Sequence, residues 1–271
     1  MSENIEVLHE SRLANIYQVV GEGKTASTLL TSVVWNDGVA RKSYFKLFSK
    51  KLPLGVLNEI TGYLLAKACK LPLPSHAGII QVPDGLLTNQ DDFLPVAFVV
   101  SEAPGKTPTT IFQITDPITE KQLASVMKIL EGWPKLNDTV AFDDWTANTD
   151  RNLQNIVVDG PGRLFLIDHS NLPVKPTWEA VDLQPGEEYP NILSVILNVA
   201  QNGTLPQKRA IAVAATNHPD AYNGVINELR NWWDSFLAND PSRRKALEEF
   251  LKIRADEGHD RISQHFYLMA V

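Results

Sequence analysis

Cysteine is nearly absent: Cys69 is the only one in 271 residues. No internal disulfide can form and no thiolate metal cage is available. Cys69 shares an apolar pattern with Leu64, Leu65 and Leu71, so a buried, inert thiol is expected there. Long apolar runs are lacking as well, since no stretch approaches the roughly 18 uninterrupted apolar residues of a membrane span. The opening residues Met1-Ser2-Glu3-Asn4-Ile5-Glu6 show neither the basic region nor the apolar run of a secretory signal. The expectation is therefore a cytoplasmic protein with no membrane partner. Positive charge is in deficit: 25 Lys and Arg stand against 32 Asp and Glu, for a net charge of −7. Such a surface repels a polyanionic backbone, which argues against nucleic acid as a partner while leaving room for a few cations placed in a cleft.

What is present fits a folded, enzyme-sized chain. Hydrophobic residues at 44% and charged residues at 21% exclude a disordered or fibrous class. Residues 12 to 48 read as an antiparallel meander, with strands Ile16 to Val20, Leu29 to Trp35 and Tyr44 to Phe48. The turn signals between them are Gly21-Glu22-Gly23 and Asn36-Asp37-Gly38. Helical spacing of Val56, Leu57, Ile60, Leu64 and Ala68 predicts a helix from about Leu54 to Lys70, stopped by Leu71-Pro72-Leu73-Pro74. Strand-like runs follow at Gly78 to Val82 and Pro95 to Val100. Beyond Ser101 the texture is helical: Glu120 to Leu130, Ile192 to Ala200, Lys208 to Ala215, and one long stretch from Tyr222 to Ile253. Residues 171 to 190, with four prolines, read as a long surface loop. The expected architecture is α+β in two lobes, a β-rich lobe over residues 1–102 and a mostly helical one over 103–271, with a cleft between them.

The most informative segment is Asp143-Asp144-Trp145-Thr146-Ala147-Asn148-Thr149-Asp150-Arg151-Asn152-Leu153-Gln154-Asn155 and the residues that follow, to Asp168, within a predicted catalytic hairpin region over 142–170. Asp159-Gly160-Pro161-Gly162 is a turn between two apolar runs, so Asn155 and Asp168 flank the open end of a hairpin, roughly 5 Å apart at the backbone. An amide oxygen and a carboxylate held there are the hard oxygen ligands that Mg2+ accepts beside phosphate oxygens and water. Asp150, five residues before Asn155, lies where a short loop could present a carboxylate to a hydroxyl. This Asp, Asn, Asp spacing across a hairpin is that of phosphoryl-transfer sites. Turn-forming and capping roles are the alternative for each residue taken singly.

The first lobe supplies partners. A period of two puts Lys46 on the face of Tyr44 and Phe48, between aromatic walls, where an ammonium demands a counter-charge. Glu59 is the only acidic residue between Asp37 and Asp84, which suggests an ion pair orienting Lys46 toward phosphates. An edge-strand lysine and a surface glutamate are the alternative. Gly21 to Thr28, with Gly23, Ser27 and Thr28, joins two strands and offers backbone N–H groups to a phosphate, although it is not a Walker motif. Trp232 and Trp233 fit core and rim packing on a helix. His169 suits a structural hydrogen bond better than a magnesium site. Asp143 and Asp144 are rival bases too far from Asn155, and Arg151 is assigned to neutralising Asp150 or a transferred phosphate.

The run Asp144 to Asn155, with its Asn148-Thr149-Asp150-Arg151 tetrapeptide, together with Leu166-Ile167-Asp168-His169, resembles the catalytic and metal-binding motifs of HipA-like kinases. The similarity extends to Phe45-Lys46, Asn58-Glu59 and Gly21 to Thr28, spanning about residues 15 to 175. It implies a two-lobed protein-kinase-like fold and an ATP- and Mg2+-dependent kinase acting on Ser or Thr of a protein. Asp150 is then the general base, Lys46 and Glu59 the phosphate-orienting pair, and Asn155 and Asp168 the metal ligands. Gly21, Gly23, Ser27, Thr28, Lys46, Val100 and Glu102 are the expected nucleotide-binding residues. The resemblance also implies autophosphorylation in the Gly21 to Thr28 loop, at Thr25, Ser27 or Thr28. Toxin members of the family pair with DNA-binding antitoxins, and the expectation is a minimal kinase domain without the extra amino-terminal subdomain of the longer ones. The Asn148 to Arg151 run is similar to that of type II phosphatidylinositol kinases too, which makes a lipid or small-molecule hydroxyl the alternative acceptor. A nucleotide-binding pseudokinase and an AMP-transferring enzyme are further alternatives.

Overall fold

The computed structural model describes residues 4–22, 26–86, 92–114 and 116–268. Six strands form one sheet: Glu6–Leu8 (β1), Leu13–Glu22 (β2), Ala26–Val34 (β3), Ala40–Phe48 (β4), Ala77–Gln81 (β5) and Val96–Ser101 (β6). Their order is β1-β5-β6-β4-β3-β2, antiparallel throughout except where β1 lies parallel to β5. The meander β2-β3-β4 is the one the turn signals predict. Gly38, at φ +79°, makes the β3–β4 turn because a residue without Cβ occupies that backbone region cheaply.

Side-chain alternation along β4 and β6 feeds two cores. Phe45, Leu47, Ala97 and Val99 face a smaller cluster with Trp35, Val33 and Ile80. Tyr44, Phe48, Phe98 and Val100 face the opposite way, onto the helix Gly55–Ala68 (α1). Every residue of α1 from Gly55 to Ala66 is buried, because the sheet covers one side and helices cover the other. The larger cluster runs on through α1 into the rest of the chain without a break.

That remainder comprises helices Pro108–Ile111 (α2), Glu120–Glu131 (α3) and Leu136–Trp145 (α4), and then the hairpin Ile156–Gly160 (β7) and Arg163–Leu166 (β8). Six helices follow: Ile192–Ile196 (α5), Val199–Asn202 (α6), Leu205–Ala215 (α7), His218–Phe236 (α8), Pro241–Asp256 (α9) and Gly258–His265 (α10). The fold is thus mixed α+β. Among the described residues, no helix is long and apolar enough to cross a membrane.

Four expectations are corrected. The stretch Tyr222 to Ile253 is two helices, because Asp240 caps a new start at Pro241, whose ring cannot continue α8. Ile192 to Ala200 is likewise broken, at Asn198, whose left-handed φ of +49° turns the chain between α5 and α6. Residues 171 to 190 form the irregular stretch expected, but not one lying wholly at the surface, since Leu172 and Trp178 are fully buried and Leu183 nearly so. Cys69 is half-buried rather than buried, and its thiol is pushed up to about 12 by its apolar surroundings, which keeps it inert at neutral pH.

Candidate active site

Residues of β3, β4 and β6 on the α1 side form rows across the sheet. Thr28 pairs with Lys46 and Lys46 with Phe98, while Tyr44 pairs with Val100. These side chains form the roof of a cleft of about 580 Å3 whose floor is Val157 of β7 and Leu166 of β8. A volume of that size accommodates a small organic ligand. Val20, Glu59, Asn155, Asp168 and His169 complete the walls that matter here.

Lys46 is 8% exposed and donates to Glu59 Oε1 at 2.6 Å; its Nζ also lies 3.3 Å from Asp168 Oδ1. Burial alone would lower the Lys46 pKa, but the Asp168 and Glu59 carboxylates outweigh it and hold the ammonium above its ordinary value. Burial pushes the Glu59 carboxyl up, to about 7, against the pull of Lys46. Asp168 is held well below the usual carboxylate range, because Lys46 and the Ser170 hydroxyl overcome its desolvation. A third of the Asp168 side chain remains open to the cleft.

The hairpin register pairs Ile156 with Leu166, and the next bond runs from Ile167 N–H to Asn155 O at 3.1 Å. Asn155 is therefore opposite Ile167, and Asp168 lies one residue beyond the expected partner position. Asp168 adopts φ +59°, a left-handed turn in which Ser170 N–H and Oγ both donate to Oδ1. Asn155 Nδ2 donates to Asp150 O at 2.6 Å. Among the described residues no donor reaches Asn155 Oδ1, so the amide is oriented with its oxygen available. No three His, Cys, Asp or Glu side chains converge on a metal position among the described residues. An available amide oxygen beside a low-pKa carboxylate nevertheless fits a hard divalent cation that keeps most of its waters.

Asp150 does not line the cleft. It stands half-buried at the rim, its carboxylate accepting from Asn152 Nδ2 at 3.1 Å and Asn171 Nδ2 at 2.9 Å. The rival acids are committed elsewhere: Asp143 is buried against Arg151 and Asn148, and Asp144 pairs with Arg261 at 2.6 Å. Arg151 itself neutralises neither Asp150 nor a cleft phosphate, because it is fully buried on Asp143. His169 makes the expected structural bond: its Nδ1 accepts from Arg151 at 3.2 Å, and burial and the two nearby cations hold its ring neutral.

Ser27 and Thr28 lie in β3 rather than in a loop, paired with Glu22 and Gly21 of β2. Thr28 faces the cleft, and alternation turns Ser27 to the other side. Gly23 and Thr25 lie outside the described residues, while Gly21 is the next-to-last residue of β2 and pairs with Thr28. Glu102 is exposed and is not a lining residue; its N–H extends the sheet by donating to Lys42 O. Phe98 was not anticipated, although the period of two along β6 places it on the face of Val100. Also unforeseen is the segment after β6: Lys106 exchanges two backbone bonds with Val158, at 3.1 and 2.9 Å, which joins it to the hairpin. The close approach requires Gly105, whose φ is +110° and where a Cβ would fall 2.1 Å from Val158 O. Nothing short of pairing two distant segments signals this in the sequence. In comparisons with known proteins, no protein-family model matches the chain and no curated protein shows significant similarity to it.

Proposed function

We propose that this protein is a two-lobed, protein-kinase-like phosphotransferase that uses ATP and Mg2+ to phosphorylate a hydroxyl, most simply Ser or Thr of a protein. The observation that carries this reading is the buried chain Glu59–Lys46–Asp168, with contacts of 2.6 and 3.3 Å, at the back of a cleft of nucleotide size. An ammonium fixed between two carboxylates, one of them part open to the cleft, is suited to holding the α- and β-phosphates of a nucleotide. Phe98, Val100, Val157 and Leu166 offer an apolar slot for an aromatic base. Asn155 and Asp168 would hold Mg2+, which supplies charge neutralisation to the triphosphate when bound. Lys46 would then exchange part of its contact with Asp168 for phosphate oxygens while keeping Glu59. Asp150, oriented by two amide donors and half-exposed at the rim, would accept the proton of an incoming hydroxyl. The resemblance to HipA-like kinases assigns the same residues the same roles.

Intact-mass measurement after incubation with Mg·ATP tests this directly. Gain of phosphate by the protein or by an added protein acceptor, abolished in Asp150→Ala, is expected. Gain of AMP would reassign the site to nucleotidyl transfer. No gain despite Mg·ATP binding would reduce it to a nucleotide-binding module.

A further inference from the structure

We propose that Asn58 and Trp178 form a positioning latch, by which the chain beyond Asp168 holds α1 and so keeps Glu59 on Lys46 without any activating modification. Its bearing on phosphoryl transfer rests on the kinase reading, whereas the latch itself is a statement about the geometry of Lys46.

Asn58 is 1% exposed and lies in the first turn of α1, directly before Glu59. Both ends of its amide are engaged by one segment: Nδ2 donates to Ser170 O at 2.9 Å and to Pro176 O at 3.3 Å, and Oδ1 accepts from Trp178 Nε1 at 3.0 Å. A buried amide costs stability unless its donors and acceptor are matched, so a helix surface meant only for packing would carry an apolar side chain here. Trp178 is fully buried between the exposed residues Thr177 and Glu179, which makes it the anchor of an otherwise irregular stretch. The Arg243 guanidinium of α9 lies 5.8 Å from the centre of its ring and pairs with Glu179, backing the anchor from outside.

Asn58 and Glu59 are consecutive residues of one helix, so they cannot be displaced independently. Glu59 Oε2 accepts from His169 N–H at 3.0 Å while Oε1 holds Lys46. Two residues on, Thr61 Oγ1 accepts from Trp233 Nε1 of α8 at 3.0 Å. Release of residues 170–178 would unmake all three Asn58 bonds and leave a buried amide unsatisfied. The alternative to the latched state is therefore a shift of α1 that also withdraws Glu59. In kinases where an activation segment is ordered by phosphorylation, new charge pairs do this work. Here an indole and an amide already in the sequence do it.

The test uses the full chain, expressed without phosphatase inhibitors and treated with phosphatase. Acetylation of each lysine is followed by peptide mass spectrometry, with exposed Lys128 as the internal reference. Trp178→Phe keeps an aromatic side chain in the buried site while deleting the N–H together with the five-membered ring, and Asn58→Leu deletes all three bonds. Lys46 of the wild type is expected to react at least about tenfold slower than Lys128, since it is buried and paired. Both variants should speed Lys46 several-fold at unchanged Lys128. Turnover should fall by about tenfold with KM for Mg·ATP within about twofold, the split expected when a group is mispositioned rather than a ligand lost. Unchanged Lys46 labelling in Trp178→Phe overturns the latch, whether or not Asn58→Leu folds. So does a wild type that transfers phosphate only after modification within residues 170–183. A wild type that never transfers phosphate, but whose Lys46 responds to both variants, sinks the kinase reading and leaves the latch standing.

Discussion

Arg151 and Asp143 face each other at 3.3 Å with both side chains wholly out of solvent, and their contact closes the loop that carries Asp150. Arg151 also donates to Ile167 O at 2.8 Å and to Asn155 O at 3.4 Å, tying that loop to the open end of the β7–β8 hairpin. Burial raises the Asp143 carboxyl, and Arg151 and Asn148 oppose this. Removing one partner strands the other charge in the interior. Arg151→Met should therefore cost about 3–5 kcal/mol in urea unfolding. An unchanged midpoint would mean that the pair contributes no net stability.

At Gly62, α1 lies tight against the residues that follow Asp168. A Cβ there would fall 2.3 Å from His169 Cβ and 2.7 Å from Leu172 Cδ2, so Gly62→Ala forces the two segments apart. The expected loss is about 1–3 kcal/mol of stability, as for other overpacked core sites. Turnover should fall as well, because Glu59 and Asp168 ride on the separated segments. Full turnover in a folded Gly62→Ala protein would contradict the close approach.

Lys46, Asp168 and Asp150 should separate by kinetic class. On the kinase reading, Lys46→Ala should weaken Mg·ATP binding and turnover together, whereas Asp150→Ala should abolish turnover with nucleotide affinity nearly intact, the pattern expected of a group that acts on the acceptor. On the same reading, Mg·ATP should stabilise the wild type against heat, and that stabilisation should be lost in Asp168→Ala. Equal stabilisation of both would remove Asp168 from the metal site.

His218 is 2% exposed and stacks on Trp145 with ring centres 4.7 Å apart. Burial lowers its pKa from 6.5 to about 4, against the pull of Asp144. The unfolded chain binds this proton as pH falls below 6.5, and the folded protein does not until about 4. The neutral-histidine contribution is thus complete above that upper value and is lost as pH falls through the window, by up to about 3 kcal/mol. Glu59, with its raised pKa, works in the opposite sense, so the comparison should be made against His218→Phe, which keeps the stacking. The stability difference between wild type and His218→Phe should shift in favour of the variant between about pH 7 and about pH 4.5. A difference independent of pH would refute a neutral, buried His218.

Much of the local architecture is legible along the chain. The Asn36-Asp37-Gly38 and Asp159-Gly160-Pro161-Gly162 turns announce their hairpins, and the period of two places Lys46 with Tyr44 and Phe48. Less legible is α4, because Leu136, Val140, Phe142, Asp143 and Trp145 are all buried and leave no polar face to mark the helical period. Trp178 was hidden among prolines for the opposite reason: one anchor without periodicity reads as loop. The break before Pro241 carried its own signal, an Asp cap ahead of a proline, within a run of helix-forming residues that masked it.

By itself, then, the sequence determined the elements whose causes are local: turns that need glycine, strands whose two faces alternate, and a lone lysine and glutamate in apolar surroundings that demand a counter-charge. Tertiary structure alone decided which carboxylates stay available. Asp143 and Asp144 differ from Asp150 by a few positions, yet the first two are consumed by Arg151 and Arg261 while Asp150 faces the rim. It also decided that Lys46 touches Asp168 as well as Glu59, and that Asn58 meets Trp178 across 120 residues. Such contacts depend on how α1 packs between the sheet and α8, and a buried charge or amide takes whichever partner that packing brings within reach.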